Sequence, residues 1–347
     1  MRLRSLAIIV FLLACLSSQV WSASPEYVVT DVGTLGRDGW AESVNNLGQV
    51  VGGSYANVPG LSTGSYFLRA FRWDRLGGMT DLGTLGGYTG IAYGINDAGQ
   101  VVGVSLIGGD TTSHAFRTAP GMPINAATDD VGTLGGTGSS AYGINHAGQV
   151  VGRSWIAGDT AYHAFRTAPG MPINPATDDL GTLGGTWSEA YGINAAGQVV
   201  GSSWIAGDTA IHAFRTAPGM PINPATDDLG TLGQMWWSRA DGINAAGQVV
   251  GTSWIPSDPP YVSFVYRAFL HDGSAMHDLN DLIDPGSGWV LEEARGINDS
   301  GWIVGWGIHH GKERAFLLIP EPGAVAMLLG ASLIGLLVCA RHRWRQR

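Results

Sequence analysis

"AYGINDAGQVVG", residues 92–103, is written six times along this chain with small changes. Close copies are "AYGINHAGQVVG" (141–152), "AYGINAAGQVVG" (190–201) and "ADGINAAGQVVG" (240–251). Looser ones are "AESVNNLGQVVG" (41–52) and "ARGINDSGWIVG" (294–305). A catalytic motif is needed once, so six spaced copies point to architecture. Gly94, Gly143, Gly192, Gly242 and Gly296 stand 49, 49, 50 and 54 residues apart, and Ser43 holds the same place in the first copy. A period near 50 belongs to supersecondary units such as propeller blades.

One unit reads as four short strands. Residues 191–194 and 198–202 form a hairpin whose "NAAG" turn starts on Asn and closes on a left-handed Gly. "HAFRTA" from His212 is the third strand, and "DDLGTL" from Asp227 is the fourth, after a Pro-rich connection. No segment outside the two ends carries a sustained helical period. Four strands in six units predict an all-β, six-bladed β-propeller over residues 24–319, with a parallel β-helix or other solenoid as the alternative. The two ends of the array complement each other. "YVVTDVGTLG" (27–36) is a fourth strand with no third before it, and "RAFLLI" (314–319) is a third with no fourth after it. The expectation is that residues 26–36 pair with residues 314–318 and close the ring, removing exposed edges. An open solenoid would need polar capping repeats, and none is visible.

Composition agrees with many tight turns: 53 of 347 residues are Gly, without the collagen period. Both cysteines, Cys15 and Cys339, lie in the end segments, so packing must stabilise the body. Six of the 19 Lys and Arg also sit in those ends, which leaves 13 bases against 27 acids over residues 24–320. A body with net charge −14 repels phosphate backbones and argues against a nucleic-acid partner.

Residues 1–23 read as an export signal: Arg2 and Arg4, an apolar run, then small residues. A lipoprotein reading of "LLAC" at Cys15 is the weaker alternative. At the other end, residues 323–340 are an uncharged run of 18, just long enough for a transmembrane helix. Arg341, Arg343, Arg345 and Arg347 follow and would anchor that end in the cytoplasm. Pro320-Glu321-Pro322, one apolar span and a basic tail together resemble the PEP-CTERM sorting signal of Gram-negative bacteria, although Ile319 stands where that family usually has Val. The resemblance, over residues 320–347, implies signal peptidase and exosortase as processing partners. It also implies an inner-membrane precursor delivered to the cell envelope or extracellular matrix.

The triplet "HAF" at His114, His163 and His212, with Arg69, Arg267 and Arg314 in the other units, resembles the HAF repeat of exported bacterial proteins. That resemblance implies an extracytoplasmic setting and no established activity. Read from the residues, Phe packs between sheets, Ala fits beneath a neighbour, and His or Arg faces a polar layer.

Few residues look catalytic. "GLSTG" (60–64) matches a nucleophile elbow but lies in a loop without the strand and helix that motif needs. The equivalent His114, His163 and His212 should be spread around the ring, too far apart to share a metal. His309-His310 is a loop pair with no second ligand cluster. Asp110, Asp159 and Asp208 supply one carboxylate per loop, short of a calcium cage. No cofactor is expected. The connections between the fourth strand and the next first strand vary, and they carry Trp40, Tyr88, Trp187, Trp236, Trp237 and Trp289. Loop tips on a rigid scaffold concentrate binding residues. Trp187, Trp236, Trp237 and Trp289, with Glu189, Arg239, Glu292 and Glu293 beside them, are candidates for an aromatic collar that stacks sugar rings; the alternative is that these rings wedge adjacent blades. Trp155, Trp204 and Trp254 are expected as buried wedges between blades. The expected function is a non-catalytic surface or matrix module binding glycan or protein. The alternatives are a propeller-fold polysaccharide hydrolase or lyase, against which no carboxylate pair stands out, and a purely structural envelope protein.

Overall fold

The computed structural model describes residues 30–58, 65–109, 111–257 and 263–320. The chain divides into two compact units, Met1–Gly33 and Thr34–Arg347. Of the first, residues 30–33 are described; they hold a turn in which Gly33 N donates to Asp31 Oδ1 at 2.8 Å.

The second unit is a β-propeller of six antiparallel sheets. Blade 1 holds β1 (Gly39–Val44), β2 (Val50–Asn57), β3 (Tyr66–Asp74) and β4 (Gly78–Gly83). Blade 2 holds β5 (Gly86–Ile95), β6 (Val101–Ile107), β7 (Ser113–Arg117) and β8 (Asp130–Gly132). Blade 3 has three strands, β9 (Gly135–Ile144), β10 (Val150–Ile156) and β11 (Tyr162–Arg166). Blade 4 is β12 (Gly184–Ile193), β13 (Val199–Ile205), β14 (Ile211–Arg215) and β15 (Asp228–Gly230). Blade 5 is β16 (Ser238–Ile243), β17 (Val249–Pro256), β18 (Phe264–His271) and β19 (Met276–Asp278). Blade 6 is β20 (Trp289–Ile297), β21 (Ile303–His309) and β22 (Lys312–Leu318). All six first strands line one central channel, through Ser43, Gly94, Gly143, Gly192, Gly242 and Gly296 among others. That arrangement excludes the solenoid alternative.

The repeated hairpin works as its letters suggest. Asn145 N donates to Gln149 O at 3.1 Å, and Gly148 closes the turn at φ 77°. The Asn also ties blades together: Asn45, Asn96, Asn145, Asn194 and Asn244 each donate Nδ2 to the carbonyl of the next blade's Asn at 3.0–3.2 Å. The Gly of "VVG" meets a steric demand. A Cβ on Gly152 would lie 1.9 Å from Ser140 O, where a bulge in β9 brings the neighbouring strand close. Gly152 pairs with Phe165 on its other side, and that Phe is fully buried. An aromatic ring laid over a strand Gly restores the packing that the Gly lacks.

Two strand lengths differ from expectation. First strands such as β5 and β12 run ten residues, starting well before the "AYGIN" segment. Fourth strands are short, three residues in β8 and β15, and in blade 3 a single bridge from Phe165 to Asp179. The cause is local. Gly132, Gly181 and Gly230 take φ of 68–78° with their N–H donated back to an Asp carboxylate, which turns the chain out of the ladder.

Five blade-to-blade seams are alike, and the sixth differs. Val102 and Val151 are fully buried between blades, whereas Val304 of blade 6 is 48% exposed. Val44 of blade 1 is 64% exposed where its counterpart Ile95 is 8%. No hydrogen bond joins blade 6 to blade 1 among the described residues. Of the segment expected to close the ring, residues 26–29 lie outside the described residues, and residues 30–36 are not in a strand. No helix among the described residues is long and apolar enough to cross a membrane. The signal at 1–23, the span at 323–340, Glu321, Pro322 and the four terminal arginines lie outside them, as does "GLSTG".

A candidate binding site at the channel mouth

Strand alternation sends residues on either side of the repeated Ala (Ala92 and its counterparts) toward the channel. The position after it is Glu42, Tyr93, Tyr142, Tyr191, Asp241 and Arg295 in blades 1 to 6; Glu42, Tyr93 and Tyr142 line the channel itself. The tyrosines form a contiguous row, Tyr93 on Tyr142 at 5.3 Å and Tyr142 on Tyr191 at 5.4 Å between centroids. Burial pushes the Tyr142 hydroxyl up to about 12 and raises Tyr191 further, so both are neutral donors at physiological pH.

Charged side chains continue that row. Arg153 pairs with Glu189 at 2.5 Å, and the Tyr191 hydroxyl donates to the other oxygen of Glu189. Arg239 pairs with Asp241 at 2.8 Å and lies 3.9 Å from Glu293, which itself pairs with Arg295 at 2.5 Å. Ion pairs thereby join blade 3 to blade 4 and blade 5 to blade 6, and the Arg239 guanidinium over the Tyr191 ring bridges blades 4 and 5. Asp241 is pushed up to about 6 because burial outweighs the attraction of Arg239 and Arg295. Its Oδ2 has no hydrogen-bond partner among the described residues.

Beside this row, between blades 4 and 5, opens a cleft of about 180 Å³. Trp187, Trp204, Trp237 and Tyr191 wall it, and Glu189 and Arg239 supply its charged groups. The Arg239 guanidinium lies over the Tyr191 ring at 5.4 Å and near Trp237 at 6.0 Å, which holds it still. Trp187 is 37% exposed and rests on Tyr162 at 4.4 Å. Aromatic faces beside fixed polar groups are the components that hold a sugar ring.

The structure places the expected collar residues unevenly. Trp187 and Trp237 line the cleft. Trp236 belongs to a neighbouring cluster, meeting Trp254 and Phe264 edge-on at 4.5 and 5.3 Å, and is 41% exposed. Trp289 is half-buried against the core of blades 5 and 6, stacked on His309 at 4.5 Å. Trp155, Trp204 and Trp254 are half-buried and not fully enclosed, and Trp204 faces the cleft. Arg239 and Glu293 approach each other at the channel mouth and Glu189 pairs with Arg153 beside them, whereas Glu292 feels Arg267 and Glu313. Tyr191, Asp241, Arg153 and Arg295 were not singled out from sequence. The signal was there: they occupy repeat positions where the copies disagree.

The repeated histidines have a structural partner. His114, His163 and His212 pair with Asp130, Asp179 and Asp228 at 2.8–2.9 Å, and Arg69 pairs with Asp81 at 3.0 Å. This is the polar layer outside the buried Phe. Asp159 and Asp208 accept from Thr137 N and Thr186 N and so hold the start of the first strand of their own blade; Asp110 lies outside the described residues. No cluster of metal-ligating side chains occurs among the described residues. No protein-family model matches the chain, and no characterised protein matches its sequence.

Proposed function

We propose that this chain is an exported, non-catalytic propeller of the cell surface or extracellular matrix that binds glycan in the cleft between blades 4 and 5. The observation that carries the reading is the pairing of exposed Trp187 and half-buried Trp237 with the immobilised polar groups of Glu189 and Arg239 in one cleft. Trp187→Ala should weaken binding on an array of bacterial polysaccharides at least tenfold while the melting temperature changes little. A Trp187→Ala protein that binds every glycan like wild type removes this site from consideration.

The sequence ends support the route to that location. Residues 1–23 act as the export signal and residues 320–347 as an exosortase sorting tail, leaving the propeller outside the inner membrane. Replacing Pro320, Glu321 and Pro322 with alanines should leave the tail attached and the protein in the membrane fraction. Release of that variant at the wild-type rate would refute the sorting assignment.

A second reading, a propeller-fold polysaccharide hydrolase or lyase, draws on Asp241, whose raised carboxyl is poised to hold a proton toward neutral pH near the acid Glu293. Turnover of any polysaccharide that is abolished by Asp241→Asn would favour it.

We also propose that the N-terminal strand completes blade 6. In blades 1 to 5 the residue before Ala-Phe pairs with an Asp of the fourth strand, the last being Arg267 with Asp278 at 3.8 Å. Arg314 is the sixth such residue, and Asp31, in the "TDVG" that opens the array, is the Asp left to it by repeat order.

A further inference from the structure

Apart from the blade 6–blade 1 seam, the exposed large apolar side chains divide by kind between the two faces of the propeller. The face where the connections between second and third strands emerge shows rings, among them Trp187 and Trp236. The face carrying the 1–2 hairpins shows mainly aliphatic groups, with at least one exposed apolar side chain in every blade. Leu47 stands in the hairpin turn of blade 1 and is 70% exposed. Met122, Met171 and Met220, on the connections after the third strands of blades 2 to 4, are 55–56% exposed. Those connections lie against the hairpin tips, since Gly121 N, Gly170 N and Gly219 N donate to Gly99 O, Gly148 O and Gly197 O at 3.0–3.3 Å. Leu282 of blade 5 shares a groove with the blade 6 hairpin turn, and Trp302 follows that turn; they are 57% and 41% exposed. Trp302 replaces the Gln that accepts from the turn Asn in the other five copies, so a bonded polar group has given way to an exposed ring. Single exposed apolar residues are ordinary on a protein surface, but one per blade on the same face marks a contact surface.

The chain's own exit identifies what lies opposite. After β22 it leaves on the hairpin face, where a Cβ on Gly301 of the blade 6 turn would lie 3.3 Å from Pro320. The uncharged run 323–340 begins three residues later, and three residues reach at most about 10 Å. We propose that, while the tail is attached, this face docks on the lipid bilayer with its apolar side chains in the headgroup region, a docking that rests on residues 323–340 spanning the membrane. The attraction is apolar and not electrostatic, because residues 24–320 hold 13 bases against 27 acids, and Asp97 and Asp299 stand in two of the hairpin turns. Zwitterionic lipid is therefore sufficient. Docking also turns the Trp187 cleft, on the opposite face, away from the membrane and toward any glycan outside it.

The test is fluorescence quenching by nitroxide-labelled lipid, with the full-length chain reconstituted into phosphatidylcholine vesicles. Leu47→Cys, Met171→Cys and Leu282→Cys, each made with Cys15 and Cys339 replaced by Ser, carry an environment-sensitive dye. All three positions are exposed, so folding is not at risk. Thr160→Cys, on the connection between second and third strands of blade 3, is the control on the opposite face. Dyes at positions 47, 171 and 282 should be quenched about threefold more than the dye at 160, as expected for apolar groups about 5–10 Å into the interface. The native Cys339, labelled before reconstitution in a Cys15→Ser chain, reports on the span separately. Quenching at Cys339, with positions 47, 171 and 282 quenched no more than 160, overturns the docking and leaves the span in place. A Cys339 dye that lipid does not quench overturns the span and the docking with it.

Discussion

Asp241 is where the chemistry of single residues departs furthest from the ordinary. Its pKa, pushed up to about 6 from 3.8, means the folded protein binds this proton more tightly than the unfolded chain does. The stabilisation is then fully present below about pH 4 and is lost as pH rises through 6. That difference corresponds to about 3 kcal/mol at most. Asp241→Asn should therefore melt at or above the wild-type temperature at pH 7, and the difference should shrink by pH 4. Other carboxylates titrate in that window, so the difference between variant and wild type is the quantity to follow across pH 4 to 7. A variant that is several degrees less stable at pH 7 would mean the pair with Arg239 outweighs desolvation. At this scale the sequence was only partly legible. Glu189, Arg239 and Glu293 stood out as charged departures near Trp residues, while Tyr191 and Asp241 were hidden inside a motif that read as scaffold.

Among the elements, the hairpin written six times is both the most legible feature and the most tightly constrained. Its turn Gly and strand Gly are local requirements, set by hydrogen-bond reach and steric contact within one blade, while its Asn serves both the turn and the carbonyl of the next blade's Asn. Gly152→Ala puts a methyl group 1.9 Å from Ser140 O with a buried Phe ring on the adjoining strand, so neither neighbour can yield cheaply. The expected loss is about 3 kcal/mol, the upper range for overpacking. Chemical denaturation of Gly152→Ala against wild type measures it, and a loss below about 1 kcal/mol would show that the bulge relaxes. The fourth strands were misjudged in length for a physical reason. "DDLGTL" has the alternation of a strand, but its Asp caps the Gly two residues on, and that turn ends the ladder after three residues. Pattern alone does not distinguish a strand from a strand that its own side chain interrupts.

For the whole molecule the question is how six blades become one ring. Five seams repeat the same buried Val and the same Asn bond, and the sixth leaves Val304 and Val44 exposed. If the N-terminal strand completes blade 6, Asp31 and Arg314 should be energetically coupled. A double-mutant cycle with Asp31→Ala and Arg314→Ala, read by chemical denaturation, should then give a coupling of about 1 kcal/mol. Additive losses would leave Asp31 without its assigned partner. Closure also predicts that removing residues 24–36 lowers the melting temperature of the propeller, because the ring loses one strand and an edge is exposed.

The sequence by itself determined the number of blades, the order of strands within each, and the hairpin that lines the channel. Those properties follow from short-range periodicity and turn chemistry, and each was stated six times over. Only the tertiary structure decided which variable positions meet. Arg153 reaches Glu189 across 36 residues, and Arg239 reaches Glu293 from the neighbouring blade. Ring geometry places equivalent positions of adjacent blades side by side, so a contact that is distant along the chain becomes nearest-neighbour in space. Which of the tryptophans share one cleft and which pack into cores was settled in the same way, by the seam on which each side chain falls.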